Sequence, residues 1–294
     1  MRQPIANGGE SAGRKMNAVA LGETLVVRNP GLKWSEAYRR FCHRDSSFLT
    51  STMNALSILI PEGERFFIES VRHYLDEIRD PELHAQVVAF IGQEGAHARE
   101  HQRYNELVEA HGYPVRKIAE GLRRHLKQRS ASMPPKARLA MTCALEHFTT
   151  IVGAAYLRIP TGSESVAEDH ARLWFWHGVE ELEHKSVAFD VYRAVGGSYW
   201  ERIREMILAT CGFWTAWLAI TLTCMSHDRR LWSVREWWTA LVWWFVRPAF
   251  LLRLLPRYLA YYRRDFHPSQ YDGQDEELIH YWRAQLGLSP AHAG

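Results

Sequence analysis

The chain has 294 residues, 47% of them apolar, with 36 basic side chains against 33 acidic ones and a formal charge of +3. Such a composition can build one large core or two small ones, and its interspersed charges exclude the basic stripe of a nucleic-acid-binding protein. Four cysteines, Cys42, Cys143, Cys211 and Cys224, show neither CxxC spacing nor disulfide-scaffold density. With no apolar secretory signal at the N-terminus, a cytoplasmic location is expected.

Residues 1–30, rich in Gly, Ser, Asn and charge without a sustained apolar period, are expected to form a flexible arm. From Trp34 to about Val195 apolar residues recur three and four apart. Breaks fall at Asp80-Pro81, at Met133-Pro134-Pro135 and at Ile159-Pro160-Thr161-Gly162. With no convincing β-alternation and no Asn-Gly hairpin signal, residues 31–200 are predicted to form four main helices in two hairpins. A loop-and-helix stretch between about 112 and 136 joins them.

Residues 201–294 differ in composition. MILATCGFWTAWLAITLTCM (206–225) carries no charge, and WWTALVWWFVRPAFLLRLL (237–255) carries only Arg247 and Arg253, with the polar turn SHDRR between them. Two readings fit this apolar hairpin and its C-terminal tail. It either closes the core or a homodimer interface, or meets a membrane surface through 206–255.

Chemistry is concentrated in the two predicted hairpins. WHGVEELEHKSVAF (176–189) places Glu181 and His184 three apart, on one helix face about a turn apart, with His177 a turn earlier. FIGQEGAHAREHQRYN repeats the arrangement with Glu94, His97 and, a turn on, His101. A dinuclear site in a four-helix bundle takes one Glu-x-x-His pair from each of two helices and one Glu from each of the other two. In a hairpin, facing residues lie equally far from the turn. Glu64 and Glu94 are symmetric about residue 79, beside Asp80-Pro81, and Glu146 and Glu181 are symmetric about the Pro160–Ser165 break. The separations, 30 and 35 residues, are alike, whereas the competing Glu69 stands only 25 from Glu94, so Glu64 is preferred. The chain thus contains an approximate internal duplication. Carboxylates packed together in a core would cost several kcal/mol each to ionise, so cations are the natural compensation.

Other polar residues are assigned lesser roles. His101 is expected to orient a ligand or move protons, and His147, about 100° round the helix from Glu146, to hydrogen-bond a neighbouring helix. Gln93 and Glu180 either brace the ligands or are exposed. His73, His84, His125, His170 and His227 are expected at the surface, and Tyr104 and Tyr192 in the core rather than in proton or radical transfer.

The order Glu64, Glu94-x-x-His97, Glu146, Glu181-x-x-His184 resembles the ferritin-like di-iron carboxylate proteins. The His177-x-x-x-Glu181-x-x-His184 run resembles the arylamine N-oxygenases, which implies that His177 is a third nitrogen ligand. The segments PEGERFF, QEGAHAREHQRYN, ALEHFT and RRDFHP resemble a bacterial family described as predicted metal-dependent hydrolases, over roughly residues 34–272. Together these imply an all-α, ferritin-like four-helix bundle with additional C-terminal apolar helices and two metal ions, iron or alternatively manganese. The implied activity is an O2-activating oxidoreductase that uses an external electron donor on a hydrophobic or amine-containing small molecule. The alternative is a dinuclear hydrolase using a metal-activated water. Absence of thiolates from the set argues against a structural zinc site.

Overall fold

The computed structural model describes residues 25–34, 39–159 and 168–288, and among these residues the regular structure is helical with no strand. Two long antiparallel helices open the fold: α1 (Ser47–Arg72) and α2 (Pro81–Ala110). Ser46 caps α1 by accepting from the Leu49 amide. Asp80 caps α2 by accepting from the Glu82 and Leu83 amides, with Pro81 at the first helical position, where its missing N–H costs nothing. The proline that signals a break in the sequence therefore starts a helix. Then come α3 (Val115–Ser132), which fills the connecting stretch, α4 (Pro135–Leu157) and α5 (Glu168–His184). Residues 160–167, which hold most of the expected second hairpin turn, lie outside the described residues.

Helix α5 stops at His184, and after a two-residue turn α6 (Val187–Ala194) begins. Buried Lys185 in that turn reaches Asp275 and Asp272 at 2.8 Å each, which ties it to α10 (Asp272–Leu286). Helices α1, α2, α4 and α5 form the bundle. Across α1 and α4 lies α7 (Tyr199–His227), followed by α8 (Val234–Phe245) and α9 (Phe250–Ala260). Two carboxylates fasten this C-terminal layer to the start of α1. Glu236 accepts from Ser46 Oγ and the Phe48 amide, and Asp228 accepts from Ser47 Oγ, Arg40 and Tyr113.

Helix α1 contains a proline at 61, which removes the amide that would satisfy the Ser57 carbonyl. Asn105 Nδ2 on α2 donates to that carbonyl instead, at 2.9 Å. Glycine does the converse work between α4 and α5: a Cβ on Gly153 would stand 3.1 Å from Gly178 Cα, so the two backbones approach closely here.

Residues 1–24 of the stretch expected as an arm lie outside the described residues, whereas 25–28 cross α2, with Leu25 buried and Val27 against Gly92. The C-terminal apolar segments pack on the bundle along one side and carry exposed apolar residues along the other. Helix α7 buries Met206, Ala209, Trp217, Ile220, Cys224 and Met225 but exposes Ile207, Leu208 and Leu218. Among the described residues α7 is the one helix long and apolar enough by itself to cross a membrane. Helices α8 and α9, bent by 43°, pass that measure only together.

Candidate metal centre

Four helices deliver seven buried ionisable side chains to one place. Glu64 comes from α1, Glu94 and His97 from α2, Glu146 from α4, and His177, Glu181 and His184 from α5. None of them is more than 4% exposed, whereas the rival Glu69 is exposed. Their donor atoms form three overlapping groups, Glu64/His97/His177, Glu94/Glu146/His184 and Glu94/His97/Glu181, each with its atoms within 4.8 Å of one another. Glu94 belongs to two groups and stands between the halves.

Satisfaction of these atoms tests whether metal fits. Both carboxylate oxygens of Glu64, Glu94 and Glu146, with His97 Nδ1 and His184 Nε2, are buried without a hydrogen-bond partner. His184 Nε2 lies 3.0 Å from Glu94 Oε1, close enough for an ion pair but out of hydrogen-bond alignment. A native core seldom leaves so many polar atoms unpaired in one spot. Carboxylate oxygens and imidazole nitrogens converging from four helices are the donor set that divalent iron or manganese takes, so the residues fit a pair of such ions.

Electrostatics point the same way. Burial and the charges of Glu94, Glu181 and Glu146 push Glu64 well above the usual carboxylate range. Burial with Glu94 and Glu181 does the same to Glu146. Burial also pushes Glu181 up, but the hydrogen bond with His177 and the nearby imidazole of His184, 3.8 Å away, outweigh it and hold Glu181 well below that range. His97 is driven well below its ordinary value by burial and by His177, whose ring stacks on it at 4.1 Å. Glu64 and Glu146 thus resist carrying charge here unless cations join them.

The outer nitrogens of the two Glu-x-x-His histidines are joined by a closed relay. His97 Nε2 lies 3.1 Å from Glu180 Oε2. Arg28 donates to Glu180 Oε1 at 3.2 Å and to Glu183 Oε2 at 2.6 Å, and Gln93 Nε2 donates to the same Glu183 oxygen at 3.2 Å. Gln93 Oε1 accepts from His184 Nδ1 at 3.1 Å. Each of these two histidines thus turns its other nitrogen inward, the arrangement that supporting partners ordinarily give to metal-binding imidazoles. Arg283 closes on Glu183 at 2.8 Å. Burial and Glu183 push Glu180 up to about 8 despite Arg28.

A second relay leads from His177. Its Nδ1 is 2.8 Å from His101 Nε2, and His101 Nδ1 is 2.9 Å from Ser57 Oγ, which donates to Asn105 Oδ1 at 2.8 Å. Asn105 is the residue that repairs the proline-interrupted carbonyl of α1, so the break in the helix and the histidine relay share one support. His147 points away from the centre and pairs with the Arg257 carbonyl at 3.0 Å. Tyr104 and Tyr192 are buried and bonded to Asn54 and to Ser198 and Glu201 respectively.

Several residues differ from the sequence reading or are absent from it. His170, expected at the surface, is fully buried and accepts from Trp174 Nε1 at 3.3 Å. It stands seven residues before His177, two turns down the same inward face, and that periodicity was the available signal. Asn105 continues the stripe Glu94, His97, His101 by one further turn in the same way. Thr149, three residues after Glu146, donates to Glu181 Oε2. Arg28 and Glu183 carry no local signal, because their partners lie far off in sequence.

Beside the centre is a cavity of about 330 Å³ whose wall includes Glu64, His177, Glu181 and Thr149. It extends between α1, α4 and α7 past Phe66, Phe148, Val152 and Phe213 to Leu208 and Gly212.

Fold and site together define a helical-bundle protein with a buried carboxylate–imidazole metal-binding centre. The sequence model of the family described as predicted metal-dependent hydrolase matches residues 26–272, and the chain belongs to that family. No curated protein and no solved structure matches it.

Proposed function

We propose that the chain is a dinuclear metal-dependent enzyme whose substrate is an apolar small molecule, and that its chemistry is hydrolysis. The observation that carries the dinuclear reading is the set of buried, unpartnered oxygens of Glu64, Glu94 and Glu146 facing His97 Nδ1 and His184 Nε2. Membership of a family described as metal-dependent hydrolases supports the reaction class. Glu64, Glu94, His97, Glu146, His177, Glu181 and His184 would hold the ions. Bound there, two divalent ions would acidify a water and neutralise developing negative charge. The chain's own residues orient and insulate the centre. The Glu180–Arg28–Glu183–Gln93 relay fixes two imidazoles, the His101–Ser57–Asn105 relay fixes the third, and Thr149 holds Glu181. Apolar walls select the substrate and exclude bulk water.

A second reading, oxidation of the same class of substrate with O2 and an external electron donor, is favoured by a specific observation. The donor set is carboxylate and imidazole without thiolate, built as two like halves with an additional histidine, which is the pattern that resembles the di-iron carboxylate proteins and, at His177, the arylamine N-oxygenases. The cavity also has few groups to hold a polar leaving group. Of its polar liners outside the centre, His125 and Arg129 lie on α3, where His125 is exposed. One experiment separates the two. Protein loaded anaerobically with iron, and in parallel with manganese, is assayed for metal content, for cleavage of esters with apolar acyl groups, and for O2 uptake. Two ions per chain with ester cleavage that Glu94→Ala abolishes supports hydrolysis. Two ions with O2 uptake and no cleavage transfers the assignment to oxidation, and failure to hold metal sinks both.

A further inference from the structure

The C-terminal layer carries an arrangement that the metal centre does not explain. Helix α7 is long and apolar enough to cross a bilayer, yet only 28% of its most apolar stretch is buried. Its outward stripe, Ile207, Leu208, Cys211, Thr215 and Leu218, follows the helical period, and from Met206 to Ser226 it contains no charge. Helix α8 repeats the pattern with Trp238, Leu241 and Phe245, and α9 with Leu252, Leu255 and Leu259; all six are exposed by 47% or more. Helices α8 and α9 pack on each other, and each touches α7 through side chains, Trp217 of α7 against Trp244 of α8 and Thr210 of α7 hydrogen-bonded to Tyr258 of α9. Exposed apolar residues are ordinary when scattered, but stripes repeated on three helices of one layer mark a surface suited to being covered.

Charge indicates what covers that face. Between Met206 and Tyr262 the chain has two carboxylates, and both turn inward: Asp228 to Arg40, Ser47 and Tyr113, Glu236 to Ser46 and Phe48. Arg229, Arg230, Arg235, Arg247 and Arg253 are all exposed, so the outward charge of the layer is cationic throughout. Trp232, 91% exposed, and Trp238, 65% exposed, stand near the arginines. Apolar stripes edged by tryptophan and arginine suit the interface of a bilayer with anionic headgroups. Packing favours lying on the surface over crossing it, because α7 holds Arg202, Glu205, Met206, Ala209, Trp217, Ile220 and Met225 against the bundle along one side.

We propose that the exposed face of α7, α8 and α9 docks on an anionic lipid bilayer, lying in the plane of its surface without crossing it. The face borders the cavity, since Leu208 of the outer stripe and the exposed Gly212 beside it also line the cavity wall. A membrane-dissolved substrate would therefore reach the centre without passing through water, a consequence that rests on the proposed function, whereas docking itself does not.

Flotation of the full chain with phosphatidylcholine vesicles, with and without phosphatidylglycerol, tests docking without reading any activity. The chain is expected to float with the anionic vesicles and to lose about fivefold in partitioning for each outward arginine replaced, as in Arg230→Gln and Arg235→Gln. Trp238→Glu with Leu255→Glu is expected to abolish flotation while leaving the helical circular-dichroism signal and bound metal unchanged. Vesicles of brominated lipid should quench the tryptophan fluorescence of the unmodified chain, which decides the matter if the double variant fails to fold. Absence of flotation and quenching overturns the proposal. So does a lipid-free dimer that Trp238→Glu dissociates and that binds no vesicles, because the face would then be a subunit interface.

Discussion

Glu94 is shared by the two halves of the centre, and its burial among other carboxylates makes it the most consequential single residue. Glu94→Ala is expected to lose metal at both positions, read as near-zero metal per chain by elemental analysis, whereas a mononuclear site elsewhere would keep one ion. Arg28 acts at a distance from the metal. By pairing with both Glu180 and Glu183 it holds the outer nitrogens of His97 and His184 in register. Arg28→Met leaves Glu180 without its cation and Glu183 with Arg283 alone, and metal affinity is expected to fall about 10- to 100-fold, as when such supporting partners are removed. Competition with a chromophoric chelator measures it, and an unchanged affinity would make Arg28 a mere surface strap.

At the scale of elements, the spacing of α4 and α5 sets the distance between Glu146 and Glu181. Gly153 is the point of closest approach, because a Cβ there would meet the backbone of Gly178 at 3.1 Å, while a Cβ on Gly178 would meet Leu157 and Gly153 at 3.4 Å or more. The two alanine substitutions should therefore differ, although each improves helix propensity by up to about 1 kcal/mol. Gly153→Ala forces the helices apart and is expected to lose on the order of 1–3 kcal/mol in chemical denaturation, together with some metal affinity. Gly178→Ala is expected to be close to neutral. Equal losses at both positions would mean that the crossing has slack and that glycine is not what fixes it.

For the molecule as a whole, the centre makes stability depend on protons and metal together. In the metal-free protein Glu64 and Glu146 are held well above the usual carboxylate range by burial and by neighbouring carboxylates. The folded chain keeps protons that the unfolded chain releases above about pH 4.3, so metal-free stability falls as pH rises from that value toward the raised ones. Glu181, held low by His177 and His184, works in the opposite sense and loses its contribution only as pH falls through its depressed value. Above about pH 6.5, where the buried His43, His97, His101, His147 and His170, all held below their ordinary value, no longer add the opposite dependence, thermal unfolding of chelator-treated protein should therefore show a melting temperature that declines with rising pH. Loading with metal should release protons into weakly buffered solution and restore the loss. A metal-free melting temperature that rises with pH above about 6.5 would contradict the crowding of carboxylates.

Local pattern carried the two Glu-x-x-His pairs, the helical period and the proline positions, because each is set by residues within a turn or two of one another. Hairpin symmetry carried one step further and selected Glu64 over Glu69, and the structure buries the first and exposes the second. His170 was legible in principle, two turns before His177, but a lone histidine in a polar stretch gives no sign of what packs over it. Arg28, Glu183 and the Ser57–Asn105 support were beyond local pattern, since each bonds residues 44 or more positions away. The fate of the C-terminal apolar segments likewise depended on which side of each helix the bundle covers. From the sequence alone came the helical class, the Glu and His side chains now found together and the shared spacing of the two hairpins, because short-range geometry determines them. Only the tertiary structure decided which groups brace those side chains, how closely α4 and α5 approach, and which apolar stripes remain uncovered, because contacts between distant segments arise only when the chain has packed.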